Sequence, residues 1–412
     1  GYSKGSVSDL EKAVTASAAG DVGADKLPDV FSTYADTAYS IEQDGKLANV
    51  AEYVSADELS RYVDGYVSEG YFDGDDALYL FPVAKSTEIT MIDKTDWEPF
   101  AEATGTTTDE LSTFEGIADV AKRYYEWTDA QTPDVANDGK AFYGRDSMSN
   151  YFVIAMKQMG IDLLSAEDGK AVVNVDKDKI KKLWDCYYVP YVNGYFTSIG
   201  KFRSDDMKTG DLIAYTGSTS SAMYFPDQVI DDDGAKAIDY LVVAAPVMEG
   251  SSRTQVQQGA SMAVTKSDDQ HEYAACEFLK WFTAKENNLR FVSDSAYLPV
   301  LKEANSTEAL DEVVSDEGIS IAPKAHDALA TVFDSFDGTD FYTPVASSNS
   351  YAVRKVFDYN LSDKAKADRA AVVSAIEGGA SHEDAVAPYV TDAAFDAWYD
   401  GFVAAIEQAK SK

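Results

Sequence analysis

"GASMAVTKSDDQHEYAACEFLKWF", Gly259 to Phe282, carries a strand, a helix start and a helix in one short piece. Ser261 to Thr265 reads as a buried strand. Ser267, followed three residues on by Gln270, has the spacing of a capping box, in which a hydroxyl and an amide satisfy the free N–H groups of a first helical turn. Ala274, Phe278, Trp281 and Phe282 then recur at helical spacing, so the reading predicts an apolar stripe that covers one face of a sheet. A strand leading through a cap into an amphipathic helix is the repeating unit of α/β proteins.

The same alternation extends outward in both directions. "VSDLEKAVTASAAG" predicts a helix with Leu10, Val14 and Ala18 on one face, stopped at Gly20. "DALYLFPVAKSTEITMI" is strand-like but interrupted by Pro82 and the polar run Lys85 to Glu88. "DELSTFEGIADVAKRYYEW" sets Phe114, Ile117, Ala121 and Tyr124 at helical intervals. From Asp363 onward the pattern is helical; Gly378 and Gly379 end one helix, and Ser381 with Asp384 can cap the next. No repeat, low-complexity tract or long linker divides the 412 residues, so the expectation is lobes joined by short strand crossovers.

Charge narrows the function. Against 71 acidic residues stand 35 basic ones, a formal net of −36, and such a surface repels phosphate backbones and anionic lipid. Neither nucleic acid nor a membrane surface is an expected partner. No apolar run reaches the roughly eighteen residues that a spanning helix needs. The start, "GYSKGSVSDLEKAV", has no apolar signal core, so the chain reads as cytoplasmic or as a mature form whose export signal has been removed. Cys186 and Cys276 fall in separate helical patterns and are expected as small buried hydrophobes rather than a disulfide.

Catalytic signatures are missing. The sequence has no phosphate-binding GxxxxGK[ST], no dinucleotide GxGxxG after a strand, no CxxC and no HExxH, and no cofactor or metal is expected. "GASMA" lacks the last glycine of a nucleophile elbow. Two of the three histidines, His271, His326 and His382, fall in first turns of predicted helices and face solvent in this reading. Asp231 to Asp233 and the "DVANDG" of Asp134 to Gly139 lack the spaced ligands of a calcium loop and read as solvated acidic loops. With 71 acids, any one carboxylate pair says little about glycosidase chemistry.

What recurs is an apolar strand whose carboxyl end turns polar and uncharged. It occurs at Ser32-Thr33-Tyr34, at Lys85-Ser86-Thr87, from Thr216 through Gly217, Ser218 and Ser220 to Ser221, and in the "SSNSY" of Ser347 to Tyr351. In open α/β sheets ligands sit outside the carboxyl ends of the strands. Hydroxyls there pair with a polyhydroxylated ligand, and tyrosines offer it an apolar face with a polar tip.

These pieces resemble the family 1 extracellular solute-binding proteins of bacterial ATP-driven sugar importers, a family that includes maltose-binding and glycerol-3-phosphate-binding members. The resemblance runs over almost the whole chain as weak motifs in the right order. "LPDVFSTYADTAYSIEQDGKLANV" is similar to the family's Pro-Asp-Val strand with its following helix and Gly-x-Leu turn, and "LYLFPVAKSTEITMIDKTDW" to its first crossover. "GASMAVTKSDDQHEYAACEFLKWFTAKENNLRFVSDSAYLPVLKEA" is similar to the second crossover, the Ala-x-x-Phe-Leu helix and the closing Leu-Pro-Val. "SSNSYAVRKVFDYNL" resembles the tyrosine-bearing helix entry late in the chain. The strand, helix and strand that usually precede the segment matching Val7 to Gly20 are missing, so the chain looks trimmed at its start or unusual in its first lobe. Ile92-Asp93 stands where the family often has tyrosine-asparagine.

The resemblance implies a two-lobed, type II periplasmic-binding-protein-like α/β fold and no enzymatic activity. Lobe I would comprise residues 1–90 and 258–304, and lobe II residues 91–257 and 305–412, with crossovers near Thr87 to Met91, Val256 to Gly259 and Asn305. A monomer at the extracellular face of the membrane, lipid-anchored or periplasmic, would close over a small ligand and present it to a transmembrane permease. The implied ligand-binding residues are Ser32, Thr33, Tyr34, Asp36, Lys85, Ser86, Thr87, Tyr151, Gly217, Ser218, Ser220, Gly259, Ser261, Ser350, Tyr351 and Arg354. Positions that hold tryptophans in maltodextrin binders fall near Thr33, Ser220 and Ser350, which points to a short neutral carbohydrate rather than a long stacked one. The alternatives are a glycerol-phosphate ester, for which Lys85 and Arg354 are the basic residues near the cleft segments, and a carbohydrate hydrolase on the same lobes.

Overall fold

The computed structural model describes residues 7–72, 76–231 and 234–411. Asp232 and Asp233 of the acidic run therefore lie outside the described residues, as do residues 1–6. Seven strands build two sheets: β1 (Val30–Thr33), β2 (Leu80–Phe81), β3 (Glu88–Asp93), β4 (Tyr143–Arg145), β5 (Ala214–Ser218), β6 (Tyr240–Ala244) and β7 (Ser261–Val264). The first sheet has the order β1-β7-β2 and is antiparallel, with Thr33 opposite Ser261 and Met262 opposite Phe81. The second has the order β6-β3-β5-β4; β3 runs antiparallel to both its neighbours, and β4 lies parallel to β5.

Every residue of β3 is buried, which suits a central strand flanked on both edges and covered on both faces. The chain leaves the first sheet at Phe81 and enters the second at Glu88, then returns between Ala244 and Ser261. Those two passages run side by side, paired through Ser86 and Gln258 with bonds of 2.8 and 3.0 Å. A third segment lies alongside them, because Thr254–Val256 pairs in parallel with Asp340–Tyr342. Asn305, expected at a crossover, does other work: its amide bonds the carbonyls of Pro299 and Leu301 at 2.8 Å and staples a turn.

Packing follows the sheets. One large core joins the inner face of the second sheet to the helices Phe114–Asp129, Met148–Gln158, Lys177–Asn193, Ser350–Glu377 and Asp392–Lys410. Its centre is aromatic, with Trp184 stacked on Tyr188 at 3.6 Å and Phe152 packed on both Phe357 and Phe402. A smaller core gathers Val14, Phe31, Leu47 and Phe72 around the first sheet. A third runs from Val50 and Tyr66 through the helices Asp269–Phe282 and Lys285–Ser295 to Leu329, under β3 and β5. Helix Thr307–Asp316 packs on Lys285–Ser295, and helix Pro323–Phe333 packs on β6. The cysteines are both buried and free, Cys186 in the large core and Cys276 in the third.

Two local readings are corrected. The cap of helix Asp269–Phe282 is Asp268, whose carboxylate accepts from the amides of Gln270 and His271. A charged acceptor at a helix N-terminus outbids a hydroxyl. Ser267 instead donates its amide to Glu272. The apolar stripe is also turned over: the helix buries Glu272, Ala275, Cys276 and Leu279, while Phe278 and Trp281 are 50% and 60% exposed.

Candidate functional site

The parallel pair β4 and β5 ends on one side of the second sheet, and β3, running the other way, begins there with Glu88. Asp146 continues β4 by donating its amide to Thr216 at 3.1 Å, so its carboxyl stands at the strand's carboxyl end. Ser147 then caps helix Met148–Gln158 by accepting from the Asn150 amide. That turn brings Asn150 to the crossovers. Its side-chain amide donates to Glu88 at 3.0 Å and to Gln258 at 2.9 Å. Glu88 also takes Arg145 on both oxygens, at 3.0 and 2.9 Å. The buried guanidinium lies 5.0 Å from the Tyr151 ring centre and is held there as a fixed, neutralised pair.

Asn150 and Gln258 stand between two cavities and line both. The narrower, of about 40 Å³, lies between the sheets, against Tyr34, Asp36, Glu69, Gly259 and Arg354. The wider, of about 400 Å³, opens at the carboxyl ends of β4 and β5 and is lined by Asp146, Ser218, Ser220, Ser221, Phe202 and Tyr224. Phe202 and Tyr224 are 50% and 65% exposed. Burial raises the pKa of Asp146 to about 6. Tyr34 is pushed up as well, first by burial and then by the neighbouring Tyr297 phenol.

The cations of this region are committed. Lys85, expected as a cleft cation, is fully buried: its ammonium pairs with Glu69 and donates to the Gly259 carbonyl at 3.0 Å and the Ser261 hydroxyl at 2.8 Å. An ammonium has three donors, so none is left for a ligand. Lys208 is paired with Asp205 at 3.0 Å, and Arg203 with Asp206. Arg354 is freer; its side chain is 37% exposed and stands 4.0 Å from Asp36 and 3.4 Å from the Ser149 hydroxyl.

Of the other residues singled out in the sequence, Tyr34, Asp36 and Gly259 line the narrow cavity, and Ser218 and Ser220 the wide one, their hydroxyls 2.7 Å apart. Gly217 lies on β5, beside Asp146. Tyr151 is no cleft residue: it is buried in the large core, its hydroxyl bonded to the Leu183 carbonyl. Ser86 is buried in the paired crossovers, and Thr87 lines a small cavity with Ala244 and Phe341. Thr33 is buried and bonds its own neighbour's carbonyl, while Ser32 beside it is half-buried on β1. Ser261 is taken by Lys85. Ser350 is buried and donates to Asp36 at 2.6 Å, which ties the start of helix Ser350–Glu377 to the first sheet's following helix. Tyr351 is exposed under the Lys355 ammonium and lines neither cavity. Sequence reasoning missed Glu69, Glu88, Asp146, Asn150, Phe202, Tyr224 and Gln258. The "SSAMYF" run just past the hydroxyls held Tyr224 in plain view.

The sequence model of the bacterial extracellular solute-binding protein family matches residues 2–321. The chain belongs to that family. No curated protein matches it by sequence. Solved structures share its fold over nearly the whole length. The cyclic α-maltosyl-1,6-maltose binding protein from Arthrobacter globiformis is 19% identical, with a TM-score of 0.67, covering 98% of this chain and 89% of that one. UgpB from Mycobacterium tuberculosis, in complex with glycerophosphocholine, is 15% identical with a TM-score of 0.65, covering 98% and 88%. A solute-binding protein from Agrobacterium radiobacter, in complex with ribitol, is 17% identical with a TM-score of 0.62, covering 96% and 89%. The architecture is thus the type II periplasmic-binding-protein fold, and this solute-binding protein binds a ligand without transforming it. Among the described residues no helix is long and apolar enough to cross a membrane.

Proposed function

We propose that this solute-binding protein is the capture subunit of an ATP-driven importer and that its cargo is a short neutral saccharide or polyol. The observation that carries the reading is the state of the charges around the two cavities. Lys85, Lys208 and Arg203 are each spent on a carboxylate, whereas the rings of Phe202 and Tyr224 stand exposed beside the half-buried Ser218 and Ser220. A neutral polyol needs those hydroxyl partners and ring faces; an anion needs a free cation, since burying an unpaired charge is costly. The solved neighbours whose names mention maltose, maltotriose or ribitol support the same class.

The lobes in this reading are discontinuous, residues 1–90 with 258–304 and residues 91–257 with 305–412; the division of the sheets supports the segments up to residue 304, whereas helix Thr307–Asp316 packs on Lys285–Ser295 of lobe I. The paired passages at Ser86 and Gln258 serve as the hinge, and closure over the ligand makes the surface that a permease reads. The protein works as a monomer outside the cell membrane, lipid-anchored or periplasmic.

One observation favours a second reading. Arg354 is partly exposed on the narrow cavity and only loosely matched to Asp36, so it could receive a phosphate ester. Calorimetric titration against maltose, maltotriose and ribitol, alongside glycerol 3-phosphate and glycerophosphocholine, separates the two. The expected outcome is binding of a polyol and none of the phosphate esters. Phosphate-ester binding that disappears in Arg354→Ala, with no polyol bound, would reverse the assignment.

A further inference from the structure

Of the charged residues that line the wide cavity, Glu88, Asp205 and Lys208 each have a counter-charge within 3.0 Å. Glu88 is matched by Arg145, Asp205 by Lys208, and Asp206 by Arg203. Asp146 is the exception. Its Oδ1 accepts from the Arg203 amide at 2.8 Å, and the Arg203 side chain, already committed to Asp206, comes no closer than 3.7 Å. Its Oδ2 accepts no hydrogen bond among the described residues. That oxygen lies 2.7 Å from the point where a Cβ on Gly217 would stand, with the Ser221 hydroxyl 3.0 Å from the same point. The Ser221 oxygen is itself buried without a partner. A methyl group at this place would push the carboxylate aside, so the glycine leaves it lying over bare backbone at the end of β4.

The geometry points to Asp146 as the specificity-determining acceptor of the wide cavity: its Oδ2 takes the hydroxyl protons of the ligand, Gly217 holds that oxygen in position, and the adjoining Ser221 hydroxyl completes the pocket. The inference rests on the polyol reading above. An ionised carboxylate only accepts, so this subsite takes O–H donors and turns away carboxylates and phosphates. It also makes binding depend on pH. The charged groups facing Asp146 are Arg203, Asp205 and Lys208 on helix Arg203–Thr209, Arg145 beside it on β4, and Glu88 on β3. Burial outweighs the Arg203 contacts and sets the free carboxyl near 6. The ionised form is the one that binds, so affinity is full above that value and falls as the pH drops through it.

The test uses the whole chain and calorimetric titration with maltose, maltotriose and ribitol at pH 5 and pH 7.5. The tightest binder should bind roughly tenfold more weakly at pH 5. Asp146→Asn keeps the bond from the Arg203 amide and should lose about 10- to 100-fold at pH 7.5, with a flat pH profile, the range expected for a hydrogen bond to a charged group. Gly217→Ala, whose methyl would displace Oδ2, should weaken binding similarly; circular dichroism of both variants shows whether each is folded. Polyol binding that keeps its affinity and pH profile in folded Asp146→Asn overturns the subsite and leaves the polyol reading intact. Absence of polyol binding at millimolar concentration at both pH values overturns both.

Discussion

Lys85 and Arg354 look alike in the sequence, two basic residues among hydroxyls, and the structure gives them opposite roles. Lys85 is sealed between the first sheet and the crossovers, its partner Glu69 itself only 8% exposed. Replacing Lys85 by alanine would strand that carboxylate in a buried site. The expected cost is about 3–5 kcal/mol, the usual range for breaking one side of a buried pair. Arg354→Ala removes a half-exposed side chain with loose partners and should change stability by less than about 0.5 kcal/mol. Urea unfolding of the two variants checks the contrast; equal small effects would show that Lys85 is not a structural pair. No local pattern marked this difference, because the acceptors of Lys85 at Gly259 and Ser261 lie more than 170 residues away along the chain.

At the scale of the element, helix Asp269–Phe282 shows how far periodicity carries. Its existence and its amphipathic nature were legible, but its capping residue and its phase were not. Two stripes compete on it: the aromatic one through Phe278 and Trp281, and the smaller one through Ala275, Cys276 and Leu279. Residue size favoured the first, and packing chose the second, since small side chains let a helix sit close against β7 and the neighbouring helix Lys285–Ser295. Leu279→Ala should therefore cost about 2–5 kcal/mol, the range for emptying a buried leucine site. Trp281→Ser should move stability by no more than about 0.5 kcal/mol. Denaturation midpoints that reversed this order would mean that the aromatic face is the buried one after all. Elsewhere the elements agree with their signals: β3 begins at Glu88, where the polar run ended, and Ser381 caps the last short helix by accepting from Asp384.

For the whole molecule, the decisive feature is that few strands of chain join the two sheets and that both cavities lie beside them. In the proposed closure, a ligand touching Asn150 and Gln258 at once contacts both lobes, so it favours the closed arrangement by the contacts only that arrangement offers. Small-angle scattering should show a smaller radius of gyration at saturating polyol. No change on saturation would argue against hinge closure. The Ser350 to Asp36 bond and the Tyr39 hydroxyl on the Gly169 carbonyl already link residues of the two sides, so Asp36→Ala should widen the free protein measurably in the same experiment.

The alternation of strands and helices and the hydroxyl-rich strand ends were determined by the sequence itself. Each is a local property, set by side-chain period, proline and glycine placement and helix caps. Which hydroxyls face a cavity was decided by tertiary structure, and so were the burial of Tyr151, the spending of Lys85 and the loose pairing of Asp146. Those outcomes depend on partners distant along the chain, up to 176 residues for Lys85 and Ser261, and on the direction a face is turned. A one-dimensional pattern repeats equally well for either face, and only close packing against a second surface breaks that tie.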